Sequence, residues 1–240
     1  MIAIRNETWG PQFVLASLLT GYPDEAFSEY LGTLLSDEAL ADGPDEVAES
    51  LRDVCARAEG VMRTAATLDD LRSEYIDLFD RGREVNSLYE TEYGRERAMV
   101  KGTELVDIAA FYRAFGLENG AAGTLPEMVD HVSVEFEFYA LLVLKSQLLS
   151  EAGDPEGMDI VLDARRKFLQ SHLGRFIGAI CDRPGVAESA FYGAVFRYCR
   201  DLVSQECKRL DVVPEVQQWI SGQTEAPEMS CGAVAAVHLK

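Results

Sequence analysis

The sequence predicts an all-α protein, a single compact bundle of about ten helices, and three observations carry that reading. Apolar residues recur at three- and four-residue spacing along most of the chain. The eight prolines (11, 23, 44, 126, 155, 184, 214 and 227) each fall at the start of such a segment or between two of them. There a fixed φ and a missing N–H do least harm. Strand signals are lacking, with no Val/Ile/Thr alternation and no Asn-Gly turn joining two apolar stretches.

The first helix is expected over residues 11–20, with Phe13, Val14, Leu18 and Leu19 inward, and Gly21-Tyr22-Pro23 ends it. Asp24 is placed to cap a second helix carrying Phe27, Tyr30, Leu31, Leu34 and Leu35. After the break at Asp42-Gly43-Pro44, a third buries Val47, Leu51, Val54, Cys55, Ala58 and Met62. Thr67-Leu68-Asp69-Asp70 reads as a capping box with Asp in place of Glu, opening a short helix over 71–79. Residues 80–93 form a polar connection. A long helix then runs to Phe115 (Val100, Ile108, Phe111 and Tyr112 inward), and Gly116 is its stop.

The Gly/Ala-rich stretch 118–124 is predicted to be a hinge between two halves. Pro126 then opens the helix around which the bundle is organised, LPEMVDHVSVEFEFYALLVLK (125–145). Glu127 and Asp130 in its first turn suit the positive end of the helix dipole. Val132, Phe136, Tyr139, Leu142 and Val143 make its buried face, and Asp130 and His131 are expected one turn in, beside the incoming loop. Ile160, Leu162, Phe168 and Leu169 mark the helix after Pro155, and His172, Leu173, Phe176 and Ile177 the next. Arg183-Pro184-Gly185 turns the chain into a last long helix through Phe191, Val195, Phe196, Tyr198 and Leu202. A short piece over 213–220 closes a domain of residues 1–222. Residues 223–240 form a tail whose apolar run Gly232-Ala233-Val234-Ala235-Ala236-Val237 is much like the middle of an export signal.

The charge balance, 22 Lys and Arg against 41 Asp and Glu, gives −19 at pH 7 over 240 residues. Such a surface repels nucleic acid and anionic membrane and attracts basic partners. No apolar run approaches the roughly 20 residues that cross a bilayer. The amino terminus lacks a secretory pattern, so a cytoplasmic protein is expected. Five cysteines (55, 181, 199, 207 and 231) without a CxxC pair predict reduced, mostly buried thiols rather than a zinc or disulfide framework.

Catalytic patterns are missing: no GxGxxG, GxxxxGK[ST], GxSxG or HExxH occurs. Of the three histidines (131, 172 and 238), neither His131 nor His172 follows a glutamate by three residues, as a carboxylate-bridged di-metal bundle requires. No enzyme activity and no cofactor are expected.

Three motifs do carry a resemblance. Glu74-Tyr75-Ile76-Asp77-Leu78-Phe79 matches a Tyr-x-x-Leu-Phe helix end. Pro126-Glu127-Met128-Val129-Asp130-His131 matches an E-x-x-D-H signature. His172-Leu173-Gly174-Arg175-Phe176 follows a His-Leu-x-x-Trp segment, with Phe where an indole is usual. In order, spacing and helical setting, over residues 10–210, the chain resembles the TorD, DmsD and NarJ family of chaperones that mature molybdenum-containing oxidoreductases. The resemblance implies an all-helical, non-catalytic protein. It would bind the twin-arginine signal peptide of a catalytic subunit, hold the apoenzyme during cofactor insertion, and release it for assembly or export.

It also implies a peptide-recognition role for Asp130 and His131, against which stand a helix-orienting acid and a satisfied core histidine. The residues themselves add Glu127 and Glu90, with Glu92, as acids flanking a groove, because guanidiniums favour charge-assisted carboxylate partners. Leu88 and Tyr89 are candidate groove walls, since apolar residues in a connecting loop need a reason. Tyr75 and His172 complete the candidates, Tyr75 reading more as core and His172 as packing against the central helix. Two other functions remain open: a binder of molybdopterin or a guanine nucleotide, disfavoured by the charge and the lack of a phosphate loop, and a helical accessory subunit of an oxidoreductase. A monomer or a homodimer is equally compatible, with no nucleic acid and no direct membrane insertion.

Overall fold

Two helices of 21 residues, α6 (Val132–Ala152) and α10 (Ala190–Leu210), run through the interior, each burying side chains along most of its length. The structure is a computed structural model that describes residues 9–36, 40, 47–82, 85–94, 97–117 and 128–219. Among these, the other helices are α1 (Gly10–Thr20), α2 (Phe27–Leu35), α3 (Ala48–Val61), α4 (Ala65–Tyr75), α5 (Arg97–Ala114), α7 (Pro155–Ser171), α8 (Leu173–Cys181) and α9 (Pro184–Glu188). A π-helical turn (Ile76–Asp80) extends α4, and a 3-10 turn (Glu90–Glu92) precedes α5. No strand occurs among the described residues, and one isolated antiparallel bridge joins Tyr89 to His131. The protein is all-α.

α1 lies along α6 because both present large apolar residues at helical spacing. Phe13 sits 4.6 Å from the ring of Tyr139 and 6.4 Å from that of Phe136. Burying one such side chain stabilises the fold by about 2–3 kcal/mol. The Tyr198 hydroxyl on α10 donates to the carbonyl of Gln12 at 3.0 Å, so the second long helix is fastened to the same element. α8, α3 and α9 pack on α10, α7 packs on α6, and α2 covers part of α1.

The α6–α7–α10 junction encloses a charge. Arg165 and Glu206, 1% and 0% exposed, pair directly. Tyr139 Oη donates to Glu206 at 2.6 Å, Arg209 Nε donates to it at 2.8 Å, and Arg165 Nη1 donates to Ser146 Oγ at 2.9 Å. Burial alone would raise the pKa of Glu206, but the two guanidiniums and the Tyr139 hydroxyl outweigh it and hold the carboxyl below its ordinary value.

Several expected boundaries shift, each for a local reason. α4 begins at Ala65, six residues before the expected start at 71, because Thr64 is the N-cap: its Oγ1 accepts from Thr67 N at 3.2 Å while Thr67 Oγ1 accepts from Thr64 N at 3.2 Å. Thr67 is thus the inner member of a capping box rather than its start. α2 starts at Phe27 without a side-chain cap, and Asp24 instead accepts from Ala26 N in the turn before it. α6 starts at Val132, so Asp130 and His131 precede the helix rather than sitting a turn inside it. α9 is separated from α10 by Ser189, which caps α10 by accepting from Tyr192 N at 2.9 Å.

Val14, read as inward, is 43% exposed, and Tyr30 and Ile160, members of the predicted apolar stripes, are 61% and 60% exposed. Residues 212–219 form no regular helix, with Val213 and Val216 facing solvent. Gly116, at φ +82, does stop α5, a conformation that disfavours a β-carbon. The hinge expected at 118–124, the opening at Pro126 and Glu127, and the tail 223–240 lie outside the described residues.

Candidate functional site

The chain from Ser87 to Tyr93 lies beside the turn that leads into α6, and main-chain bonds hold the two together. Val132 N donates to Leu88 O and Glu90 N donates to Asp130 O, both at 2.9 Å. His131 is the N-cap of α6, its Nδ1 accepting from Ser133 N at 3.3 Å, with Ser133 Oγ 2.7 Å away. Its ring meets that of Tyr89 edge-on at 5.0 Å. Asp130, fully buried, accepts from the Thr91 hydroxyl at 2.6 Å and from Thr91 N at 3.3 Å. α5 joins through Tyr112, whose hydroxyl donates to Val129 O at 2.8 Å.

Glu90 is the electrostatic centre. It is fully buried, with Oε2 3.1 Å from His172 Nδ1 and Oε1 3.1 Å from Arg175 Nη1. Arg175 Nη2 reaches on to Glu104 of α5 at 3.2 Å, and His172 Nε2 lies 3.3 Å from Asp107 of the same helix. These pairs tie α5 to the junction of α7 and α8, and Lys101–Glu92 at 2.6 Å ties it to the 3-10 turn. Glu135, one turn into α6, is completely buried against this cluster. Burial first, then the charges of Glu90 and Asp130, push its pKa well above the usual carboxylate range. Burial and the two neighbouring carboxylates thus both favour the protonated form of Glu135.

Six candidates from the sequence thus converge: Leu88, Tyr89, Glu90, Asp130, His131 and His172. Tyr75 stands apart, packed on Tyr22, Phe79 and Tyr192 at ring distances of 5.4, 5.1 and 6.0 Å. Glu127 lies outside the described residues. Leu88 is 2% exposed, a core residue rather than a groove wall, because its carbonyl is spent on α6. The acids Glu90, Glu92 and Asp130 form no open rim, since each is engaged by Arg175 and His172, by Lys101, or by Thr91. In this conformation the cluster fastens helices together.

Sequence reasoning missed Glu135, Arg175, Glu104 and Asp107. Glu135 left a signal, since it lies on the stripe Val132–Glu135–Tyr139–Leu142 and an acid among apolar neighbours must be paired or protonated.

Elsewhere the described residues leave an apolar groove open to solvent. α1, α2 and α6 enclose a groove of about 750 Å³ lined by Val14, Leu18, Tyr30, Leu34, Leu141 and Leu144. Val14, Tyr30 and Leu144 are 43%, 61% and 48% exposed, and Glu137 supplies a carboxyl at the wall. No cluster of His, Cys, Asp and Glu among the described residues has metal-binding geometry. No described helix is long and apolar enough to cross a membrane.

The described residues thus combine an all-helical body, an open apolar trough and a buried ion-pair hub. The sequence model of the nitrate reductase delta subunit family matches residues 37–182, more than half of the chain, and spans the hub and the whole of α6, α7 and α8. The protein belongs to that family, which is the TorD, DmsD and NarJ group of molybdoenzyme maturation chaperones, and members are chaperones rather than enzymes. No curated protein is similar enough to count as a match.

Proposed function

We propose that this chaperone is cytoplasmic and system-specific. It binds the N-terminal, twin-arginine signal peptide of one molybdoenzyme catalytic subunit and assists that subunit's folding, cofactor insertion and assembly or export. The observation that carries the reading is the groove between α1, α2 and α6. Its size and apolar lining suit the uncharged core of such a leader laid down as a short helix. Glu137 at the wall and the −19 charge of the chain suit the two guanidiniums that precede that core. Asp130, His131, Glu90 and His172 serve the same end by fixing α5 and α6 rather than by touching the peptide, and Glu127 and Tyr89 remain candidates for contact.

Titration calorimetry against signal peptides of molybdoenzyme catalytic subunits, each paired with a double Arg→Lys version, tests the proposal. One peptide should bind, and its Lys version should bind at least tenfold more weakly, because an ammonium cannot reproduce a bidentate pair. Equal binding of both versions, or of none, contradicts it.

A further inference from the structure

We infer that the groove between α1, α2 and α6 takes a client signal peptide in one direction only, with its two arginines at the Glu137 end and its uncharged core running towards Gln147, parallel to α6. This direction presupposes the client site proposed above, and Glu137 is the residue that sets it. Three contacts fix the frame. Ser17 Oγ donates to Ser133 O at 2.9 Å, the Phe13 and Tyr139 rings lie 4.6 Å apart, and Gly10 backs onto Val143. α1 therefore runs antiparallel to α6, so each end of the groove is built from both helices. Ser17 and Leu18 lie towards the end where Glu137 stands, and Gly10 and Pro11 towards the end where Gln147 stands.

Those two ends differ in chemistry. Among the described lining residues Glu137 alone carries a charge, and its side chain is exposed, so a guanidinium reaches it without displacing anything packed. Gln147, about 15 Å further along the same helix, is neutral. Between them the wall is Ala140, Leu141 and Leu144, with Val14 across on α1.

The two orientations of a leader are therefore unequal. In one, an arginine meets a carboxylate in a charge-assisted, bidentate pair while the apolar core covers apolar side chains. In the other, the arginines meet an amide and the core covers the carboxylate, which loses water and gains no partner. The same spacing selects for length. A helical core of about ten uncharged residues fills the 15 Å, and a charge inside that stretch would lie against Leu141 or Leu144.

Photo-cross-linking of the full chain to the signal peptide that binds in calorimetry tests the direction. A benzophenone side chain placed directly after the arginines should label the Leu18 and Glu137 end, and one at the far end of the core should label the Pro11 and Gln147 end. Glu137→Gln should weaken binding severalfold. In the exchange Glu137→Gln with Gln147→Glu, the two labelling patterns should trade places. Neither side chain is buried, so both variants should fold.

Reversed or equal patterns in the wild type, or an unchanged pattern in the exchange variant, would overturn the direction and leave the groove as the client site. Labels outside the groove from both probes, or no peptide bound at all, would overturn the client site itself and the direction with it.

Discussion

The Thr91 hydroxyl donates to Asp130 at 2.6 Å, 39 residues away in sequence, inside a site closed to solvent. The signature aspartate is therefore a clamp between the 3-10 turn and the entry to α6. Asp130→Ala should destabilise the fold by about 2–3 kcal/mol, because it strands two donors of Thr91. Thr91→Val should cost less, and a double-mutant cycle by urea denaturation should show strong coupling. Additive effects would mean that the pair is incidental.

His131 acts as an N-cap, so its chemistry should be replaceable by another capping residue. His131→Asn should keep most of the stability, while His131→Ala should lose about 1 kcal/mol. Client affinity should follow stability in both. A large affinity loss in a fully stable His131→Asn protein would instead place the imidazole on the peptide.

Glu135 carries a raised pKa, caused first by burial and then by Glu90 and Asp130. The native state holds this proton where the unfolded chain has released it, so its contribution is complete below about pH 4.3 and declines as pH rises towards the folded value. Glu135→Gln removes that dependence. Denaturation from pH 5 to 8 should show the wild type losing stability relative to Glu135→Gln as pH rises, with the variant ahead by on the order of 1 kcal/mol at neutral pH. Parallel curves would show that Glu135 is ionised.

Glu206 behaves in the opposite sense. Its lowered pKa gives stability that is present above the unfolded carboxylate range and lost as pH falls through the folded value. Arg165→Met leaves that buried carboxylate without its main partner and should cost about 3–5 kcal/mol, more than removing the pair together as Arg165→Met with Glu206→Leu. Thermal and urea unfolding of the three proteins decide it.

The all-helical class and most inward-facing residues were legible from spacing and proline placement, as Phe13, Leu51, Phe136, Tyr139 and Phe196 show by their full or near-full burial. Three things were not. Val14, Tyr30 and Leu34 complete helical apolar stripes, and periodicity cannot say whether a stripe meets a neighbour or is left open. Here these residues line the groove, so the misreading falls on the ligand-sized surface. His131 belongs to a short motif whose acid in the preceding turn resembles a helical first turn, yet the helix starts after it because the histidine itself caps. The pairing of Glu90 with His172 and Arg175 spans more than 80 residues, and no local pattern encodes it.

The placement of the client peptide is the claim on which the rest turns, and binding of a cognate signal peptide to Leu144→Asp and Val14→Asp proteins tests it most directly. Both residues are about half exposed, so melting temperatures should stay within a degree or two of the wild type. Affinity should fall at least tenfold in each, because a carboxylate would enter an apolar trough. Unchanged affinity in folded proteins would show that the leader binds elsewhere.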